Sequence, residues 1–371
     1  MKRLAWQSAA PVAAALSAAF IGTTTPLQAA DLTPKEQKLA AAAKKEGAVT
    51  IINPLFSDST AQRMAEAFKK RYGLGDDFKF NNLRKGTGAT ISQVRQEIKA
   101  GRFTVDVHMV SDPGFFEEAV KHGAFEKLDS GYWKNHEELA KQAGQYFNYP
   151  YVVVPLAYTF QPVWNSACPG MENFNVTSYA DVTSASLKGK TISSDITKSS
   201  TYTNTVISLV ESGIDMKAFW PKLKATDPIV EFRTEPKMQM VITCQRPFDM
   251  WNLSGRVYQN VLKEPKLAKI LKVGYYKEGQ VMLGNQIAVL KGAPHPNAGK
   301  LLVEFLLSKE GTDVTVKGEA VYSFMKGYKP PVEAEPYLFD LSSRKLLGMK
   351  NWVESRGKFK EVRDDWAKNF R

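Results

Sequence analysis

The chain has 371 residues, 24% of them charged, with 50 Lys and Arg against 38 Asp and Glu and a formal net charge of +12. A chain of this length is expected to organise more than one hydrophobic core, and beyond the N-terminus it has no run of eighteen apolar residues, which excludes a protein built of membrane spans. Its basic residues are scattered: Lys44-Lys45 and Lys69-Lys70-Arg71 read as solvated helix faces, and no basic run carries interleaved aromatics, which argues against a nucleic-acid partner.

Residues 1–30 have the layout of a cleaved secretory signal peptide. Lys2 and Arg3 precede an Ala-rich apolar stretch from Leu4 to Ile21, and Pro26-Leu27-Gln28-Ala29-Ala30 supplies the small residues of a cleavage site. Gln7, Ser8 and Pro11 interrupt the stretch, which is too short for a stable bilayer anchor. Cleavage is expected after Ala29 or Ala30, releasing the protein into the periplasm. The first cysteine is Cys168, so no thiol is placed to carry a lipid at the new N-terminus.

A helix is predicted over 34–46, ended by Gly47, followed by a buried strand over 48–52. Ser57, Asp58, Ser59 and Thr60 then open an amphipathic helix through Arg71. Residues 78–81 alternate as a short strand, and the loop 84–89, with Thr87 and Gly88, enters a helix over 91–100. A strand over 105–110 leads through Ser111 and Asp112 to a helix over 115–122. Strand and helix alternating three times predict an α/β lobe with a largely parallel sheet. In each strand-to-helix loop, small hydroxyl or Gly residues sit where the helix begins. The unpaired N–H groups and partial positive charge there suit an anion or polar group, although plain N-capping explains the same residue types.

From Tyr149 to Trp164 runs an aromatic, apolar β stretch broken by Pro155 and Pro162. A second α/β pattern follows: a strand over 191–194, the loop Asp195 to Thr201 with Ser199 and Ser200, a helix from Tyr202, a helix over 216–225, a strand over 229–233, a helix over 235–242 and a strand near 247–251 that carries Asp249 and Trp251. The chain then returns through 281–290 to a helix over 298–307. This divides it into a first lobe over 31–155, a second over 156–283, a return to the first over 284–330, and C-terminal helices over 331–371 packed on the second. Cys168 and Cys244 both fall in the second lobe and are candidates for a disulfide, though a shared lobe does not prove proximity. The four histidines are scattered, with no ligand pair on one helix face, so no metal site and no cofactor is expected.

Several segments resemble the periplasmic solute-binding proteins of ABC transporters, in the two-lobed group that includes the ferric-ion-binding proteins and their organic-solute relatives. They are Ala41-Ala42-Ala43-Lys44-Lys45-Glu46-Gly47, Val105-Asp106-Val107 with Ala124-Phe125 and Leu128, Leu187-Lys188-Gly189-Lys190, and the tail 288–296 followed by 305–311. The resemblance spans nearly the whole chain after the leader. It implies a type II periplasmic binding fold, two α/β lobes joined by hinge strands and closing over a small-molecule ligand. It also implies a monomer that delivers the ligand to an inner-membrane ABC permease and its ATPase. In the iron-binding members a His, a Glu and a Tyr-Tyr pair hold the metal. The corresponding places here hold Phe56-Ser57, Ser111 and the stretch 249–252, while Tyr275-Tyr276 lies further along. Ferric iron favours hard anionic oxygen ligands, which Ser hydroxyls do not supply.

The function expected is therefore capture of a small polar, anionic organic solute such as a carboxylate, phosphonate or phosphate ester. Its ligand set would be Ser57, Asp58, Ser59, Thr60, Thr87, Gly88, Ser111, Asp112, Ser199, Ser200, Thr201, Tyr202, Asp249 and Trp251, with the last two aromatics as flat walls. Ferric ion or an iron chelate is the alternative ligand. An exported enzyme finds no support in the nucleophile-elbow, His-Glu-x-x-His or phosphate-loop motifs, which are absent from the sequence.

Overall fold

The computed structural model describes residues 32–349 and 351–371. The leader expected over residues 1–30 lies outside them. Thr33 opens the first helix, α1 (Pro34–Glu46), through a capping box in which its side chain takes the Glu36 N–H while Glu36 reaches back, with Pro34 in the first turn. Gly47 ends the helix in the left-handed region at φ 74°.

The first lobe continues with β1 (Ala48–Asn53), α2 (Asp58–Tyr72), β2 (Lys79–Arg84), α3 (Thr87–Ala100), β3 (Val107–Val110), α4 (Pro113–Lys121), α5 (Glu137–Gln142) and β4 (Val153–Tyr158). The chain then crosses to the second lobe, with β5 (Gln161–Asn165), β6 (Thr191–Ser193), α6 (Ser200–Glu211), α7 (Met216–Ala225), β7 (Ile229–Val230), α8 (Thr234–Ile242), β8 (Phe248–Asn252), α9 (Ser254–Lys263) and β9 (Leu271–Val273). It returns through β10 (Gln280–Val281) and β11 (Leu283–Val289) to α10 (Pro296–Leu307), α11 (Lys309–Glu319) and β12 (Tyr322–Ser323). The C-terminal segment carries β13 (Leu346–Leu347), α12 (Trp352–Gly357) and α13 (Phe359–Phe370).

The first lobe is built on a six-stranded sheet in the order β12-β4-β11-β3-β1-β2, the second on a five-stranded sheet in the order β7-β6-β8-β5-β9. In the first, β1 runs parallel to β2 and β3, and β11 and β12 are antiparallel to their neighbours. In the second, β6 is parallel to β7 and β8, and β5 is antiparallel to β8 and β9. Because β4 stays in the first sheet to Tyr158, the outward crossing comes at Thr159–Phe160, later than the sequence pattern places it. The helix expected from Ile91 begins earlier, at Thr87. Gly86 takes the extended N-cap conformation and the Thr90 hydroxyl donates to the Thr87 carbonyl at 2.8 Å, so Thr87 and Gly88 form its first turn.

Each lobe has its own core. In the first, Phe68 meets Phe305 edge-on at 5.6 Å, joining α2 to α10 beneath the sheet. In the second, Trp220, Trp251 and Trp366 are all buried. Burying one aromatic side chain contributes on the order of 1.5–3 kcal/mol. Cys168 and Cys244 form a disulfide, with Cα atoms 5.6 Å apart, that ties the segment after β5 to the end of α8. At the C-terminus, α13 packs on α6 and α7 of the second lobe, whereas α12 reaches α4 of the first.

Candidate functional site

A cleft of about 560 Å³ opens where the helix-start loops of the two lobes face each other. The first lobe supplies Pro54 and Leu55 after β1, residues 84–89 from the end of β2 to the first turn of α3, and Tyr158 at the end of β4. The second supplies Phe160, Lys198, Ser199, Thr201 and Tyr202, then 232–235 at the start of α8, then Leu253 and Arg256 at the start of α9.

Four helices, α3, α6, α8 and α9, thus present their first turns to the cleft. Their N-cap residues are Gly86, Ser199, Arg233 and Leu253, none of which caps with its side chain. The helices α2 and α4 differ. Ser57 accepts from the Thr60 N–H and Asp112 from the Phe115 N–H, and neither capping residue lines the cleft. Side-chain capping and cleft lining are therefore separated. The uncapped turns bring orphan N–H groups and partial positive charge toward the space between the lobes, although at α9 one of these groups, the Ser254 N–H, goes to Gln161 at 3.3 Å.

Five cationic side chains add to that field: Arg84 and Lys85 from the first lobe, Lys198, Arg233 and Arg256 from the second. Glu235 is the one carboxylate in the lining. Its Oε1 accepts from Arg84 Nη2 at 2.9 Å and lies 2.9 Å from Arg256 Nη2, so a single oxygen joins guanidinium groups from both lobes. Burial works to raise the Glu235 pKa, but the Arg256 charge, with help from Arg84, holds it below the ordinary carboxylate range. Apolar walls come from Phe160 and Tyr202, stacked at 4.2 Å, and from Phe232, over which Lys198 and Arg233 lie at 5.7 and 5.8 Å.

Of the residues expected from sequence, Thr87, Gly88, Ser199, Thr201 and Tyr202 meet in this cleft. The others lie elsewhere. Ser57 donates its backbone N–H and its hydroxyl to Glu319 Oε1 at 2.7 and 2.8 Å, and Thr60 is buried beside it. Asp58 and Ser59 are exposed, and Ser111 is buried outside the lining. Asp112 and Ser200 line a separate depression with Arg95 and Arg356.

Asp249 and Trp251 sit behind the aromatic wall. Trp251 is buried, stacks on Tyr202 at 6.1 Å and donates its indole N–H to the Tyr179 hydroxyl at 3.1 Å. Asp249 pairs with Lys237 at 3.0 Å, and Lys237 also bonds Ser194 Oγ at 2.9 Å and the Trp251 carbonyl. Burial, the largest single influence, would lower the Lys237 pKa, but the charges and hydrogen bonds of Asp249 and Tyr202 together outweigh it and the net shift is upward. These two residues support the cleft from beneath because β8 points them into the second core.

The residues missed from sequence are the cations Arg84, Lys85, Lys198, Arg233 and Arg256, with Glu235, Phe160 and Phe232. A signal existed for four of the five cations, since Arg84-Lys85, Lys198 and Arg233 each stand just before a helix start. Arg256 sits on α9, a helix the sequence pattern had not revealed. Neither Tyr275 nor Tyr276 lines the cleft: Tyr276 donates to the Met250 carbonyl at 2.7 Å, and Tyr275 packs on Phe339 at 5.1 Å beneath Arg344. Among the described residues no group of three or more His, Cys, Asp or Glu side chains is placed to hold a metal ion, and no helix is long and apolar enough to cross a membrane.

Two α/β lobes enclosing a cleft with ligand-type donors define a two-lobed binding protein. The chain belongs to the bacterial extracellular solute-binding proteins, whose family profile it matches over residues 63–339. None of the curated proteins compared with it matches. Among solved structures it is similar to the Trichodesmium protein FutA in complex with iron and citrate, at 16% identity and a TM-score of 0.64, covering 87% of this chain and 99% of that one. It is similar to AfuA of Actinobacillus pleuropneumoniae with fructose-6-phosphate bound, at 16% identity and 0.65, covering 87% and 98%. It is also similar to iron-bound HitA of Pseudomonas aeruginosa, at 18% identity and 0.66, covering 87% and 99%. Identities this low establish the shared fold alone.

Proposed function

We propose that this protein is the periplasmic receptor of an ABC importer and captures a small anionic organic solute, a carboxylate, phosphonate or phosphate ester, between its lobes. After loss of its leader it would act as a monomer and hand the solute to an inner-membrane permease driven by an ATPase. The observation that carries the reading is the convergence of four uncapped helix starts and five cations on one cleft with a single carboxylate. Such a field favours an anion, and the stacked Phe160 and Tyr202 offer its apolar body a flat surface.

A thermal-shift screen of carboxylates, phosphonates, sugar phosphates, polyamines and ferric citrate tests the proposal. A ligand that binds only the native state stabilises it by RT ln(1 + [L]/Kd), about 3 kcal/mol at a hundredfold excess over Kd. A shift with cations or polyamines alone overturns the anion assignment. The similarity to a protein described with iron and citrate motivates a second reading, capture of iron as an anionic chelate. A response to ferric citrate without a response to citrate favours that reading.

A further inference from the structure

Arg84, Glu235, Arg256 and Glu319 form a chain of alternating charge that passes between the lobes twice. Arg84 is the last residue of β2 and Glu319 the last of α11, both in the first lobe, while Glu235 and Arg256 belong to the first turns of α8 and α9 in the second. Glu235 Oε1 is 2.9 Å from a guanidinium nitrogen on each side, and Arg256 Nη1 is 4.0 Å from Glu319 Oε2. A Cβ on Gly255 would stand 2.1 Å from the Glu319 carbonyl oxygen, so glycine lets α9 approach α11 closely enough to hold Arg256 there.

The two arginines differ in freedom from the carboxylate they share. Arg256 is buried, with its Nε–H donated to Thr234 Oγ1 at 3.1 Å and Nη1 to Gln259 Oε1 at 2.6 Å. Its remaining nitrogen points at Glu235. The Glu235 side chain is 52% exposed at the cleft wall, and its second oxygen, Oε2, accepts from the Thr234 hydroxyl of its own helix start, at 3.1 Å. A buried donor, a second donor from the opposite lobe and a half-exposed acceptor between them form a position built for one anionic group and filled by the chain itself.

We infer that Glu235 is a built-in competitor. Without ligand it occupies the anion position between Arg84 and Arg256 and ties the two lobes together. When solute enters, the carboxylate or phosphate group of the solute takes over both guanidinium groups and the Glu235 side chain turns out to solvent. The exchange selects for an anion with oxygens able to engage both arginines, because planar or tetrahedral oxyanions match guanidinium donors. It also lowers apparent affinity by the fraction of time the position is already taken. This inference rests on the anion reading of the cleft.

The test compares wild type with the E235Q and E235A full-length mature proteins, using inorganic phosphate and citrate as probes in calorimetry at fixed ionic strength and small-angle scattering without any probe. Glu235 is half-exposed, and both variants are expected to keep the wild-type circular dichroism. The expected result is that at least one probe binds about tenfold more tightly to both variants, and that the probe-free variants have a larger radius of gyration because the tie between lobes is gone. A probe that binds wild type and binds the variants equally or more weakly overturns the inference and leaves the anion reading standing. If neither probe binds wild type or either variant, the anion reading fails and the inference fails with it.

Discussion

Lys237 Nζ lies 3.0 Å from Asp249 Oδ1 with both side chains fully removed from solvent, directly behind the Tyr202 ring that walls the cleft. The ammonium sits 5.0 Å from the centre of that ring. The pair thus joins α8 and β8 at the point where both approach the candidate site. A buried pair of this kind costs desolvation when formed, and breaking it leaves one charge stranded.

Lys237→Met is expected to destabilise the protein by about 3–5 kcal/mol, because Asp249 would remain buried without its partner. Replacing both residues with apolar ones is expected to restore most of the loss. Urea denaturation of the three proteins checks this, and a loss below about 1 kcal/mol in the single variant would show that the pair is not structurally coupled.

Thr87 and Ser200 separate the two faces of the helix starts. Thr87 lines the cleft and Ser200 the depression with Asp112 and Arg356. Thr87→Leu is expected to abolish the thermal shift caused by whichever anion the screen identifies, with stability changed by less than about 1 kcal/mol. Ser200→Leu is expected to leave the ligand response intact. Equal responses in the two variants would remove the α3 start from the site.

The Cys168–Cys244 disulfide spans a sequence separation of 76 residues. Closing a loop of that length restrains the unfolded chain, so replacing both cysteines with serine is expected to cost about 2–5 kcal/mol. Denaturation midpoints of the oxidised protein and the double variant measure it. A loss below that range would mean that the second lobe holds its shape without the cross-link.

His108 is buried between Phe115 and Phe116 with both ring nitrogens lacking a hydrogen-bond partner, and burial pushes its pKa down to about 3. The unfolded chain binds a proton below about pH 6.5 where the folded chain does not. The stability associated with this neutral ring is therefore fully present above about pH 6.5 and is lost as pH falls toward 3. The loss is about 1.4 kcal/mol per unit. His136, buried and pushed down to about 4, acts with the same sign. The gap in stability between His108→Leu and wild type is expected to move in favour of the variant by about 2–3 kcal/mol between pH 7 and pH 4.5. Parallel pH profiles for the two proteins would show that His108 is not held neutral by burial.

Much of the architecture was legible from local pattern. The helix α1 starts and stops where Thr33, Pro34 and Gly47 place it, and β1 starts at Ala48 as read. The strand-to-helix loops on the cleft side carry Thr87, Ser199 and Thr201, which the composition of those loops had singled out. What pattern could not separate was a hydroxyl that caps its own helix from one that faces the cleft. Ser57 and Ser199 look alike in sequence. Ser57 spends its acceptor on the Thr60 N–H and its donor on Glu319, while Ser199 makes no such cap and opens on the space between the lobes.

The sequence by itself determined the two-lobed α/β class, the return of the chain to its first lobe, and the small polar character of the helix starts. These follow from periodicity, turn residues and caps acting over a few neighbours. Only the tertiary structure decided that Arg84 and Arg256, far apart in the chain and in different lobes, meet on one oxygen of Glu235. It also decided that Asp249 and Trp251 support the cleft from below and do not line it. The physical reason is that a strand residue faces the cleft or the core by which side of the sheet its neighbours cover. That covering comes from α6 and α8, whose positions are set by long-range packing.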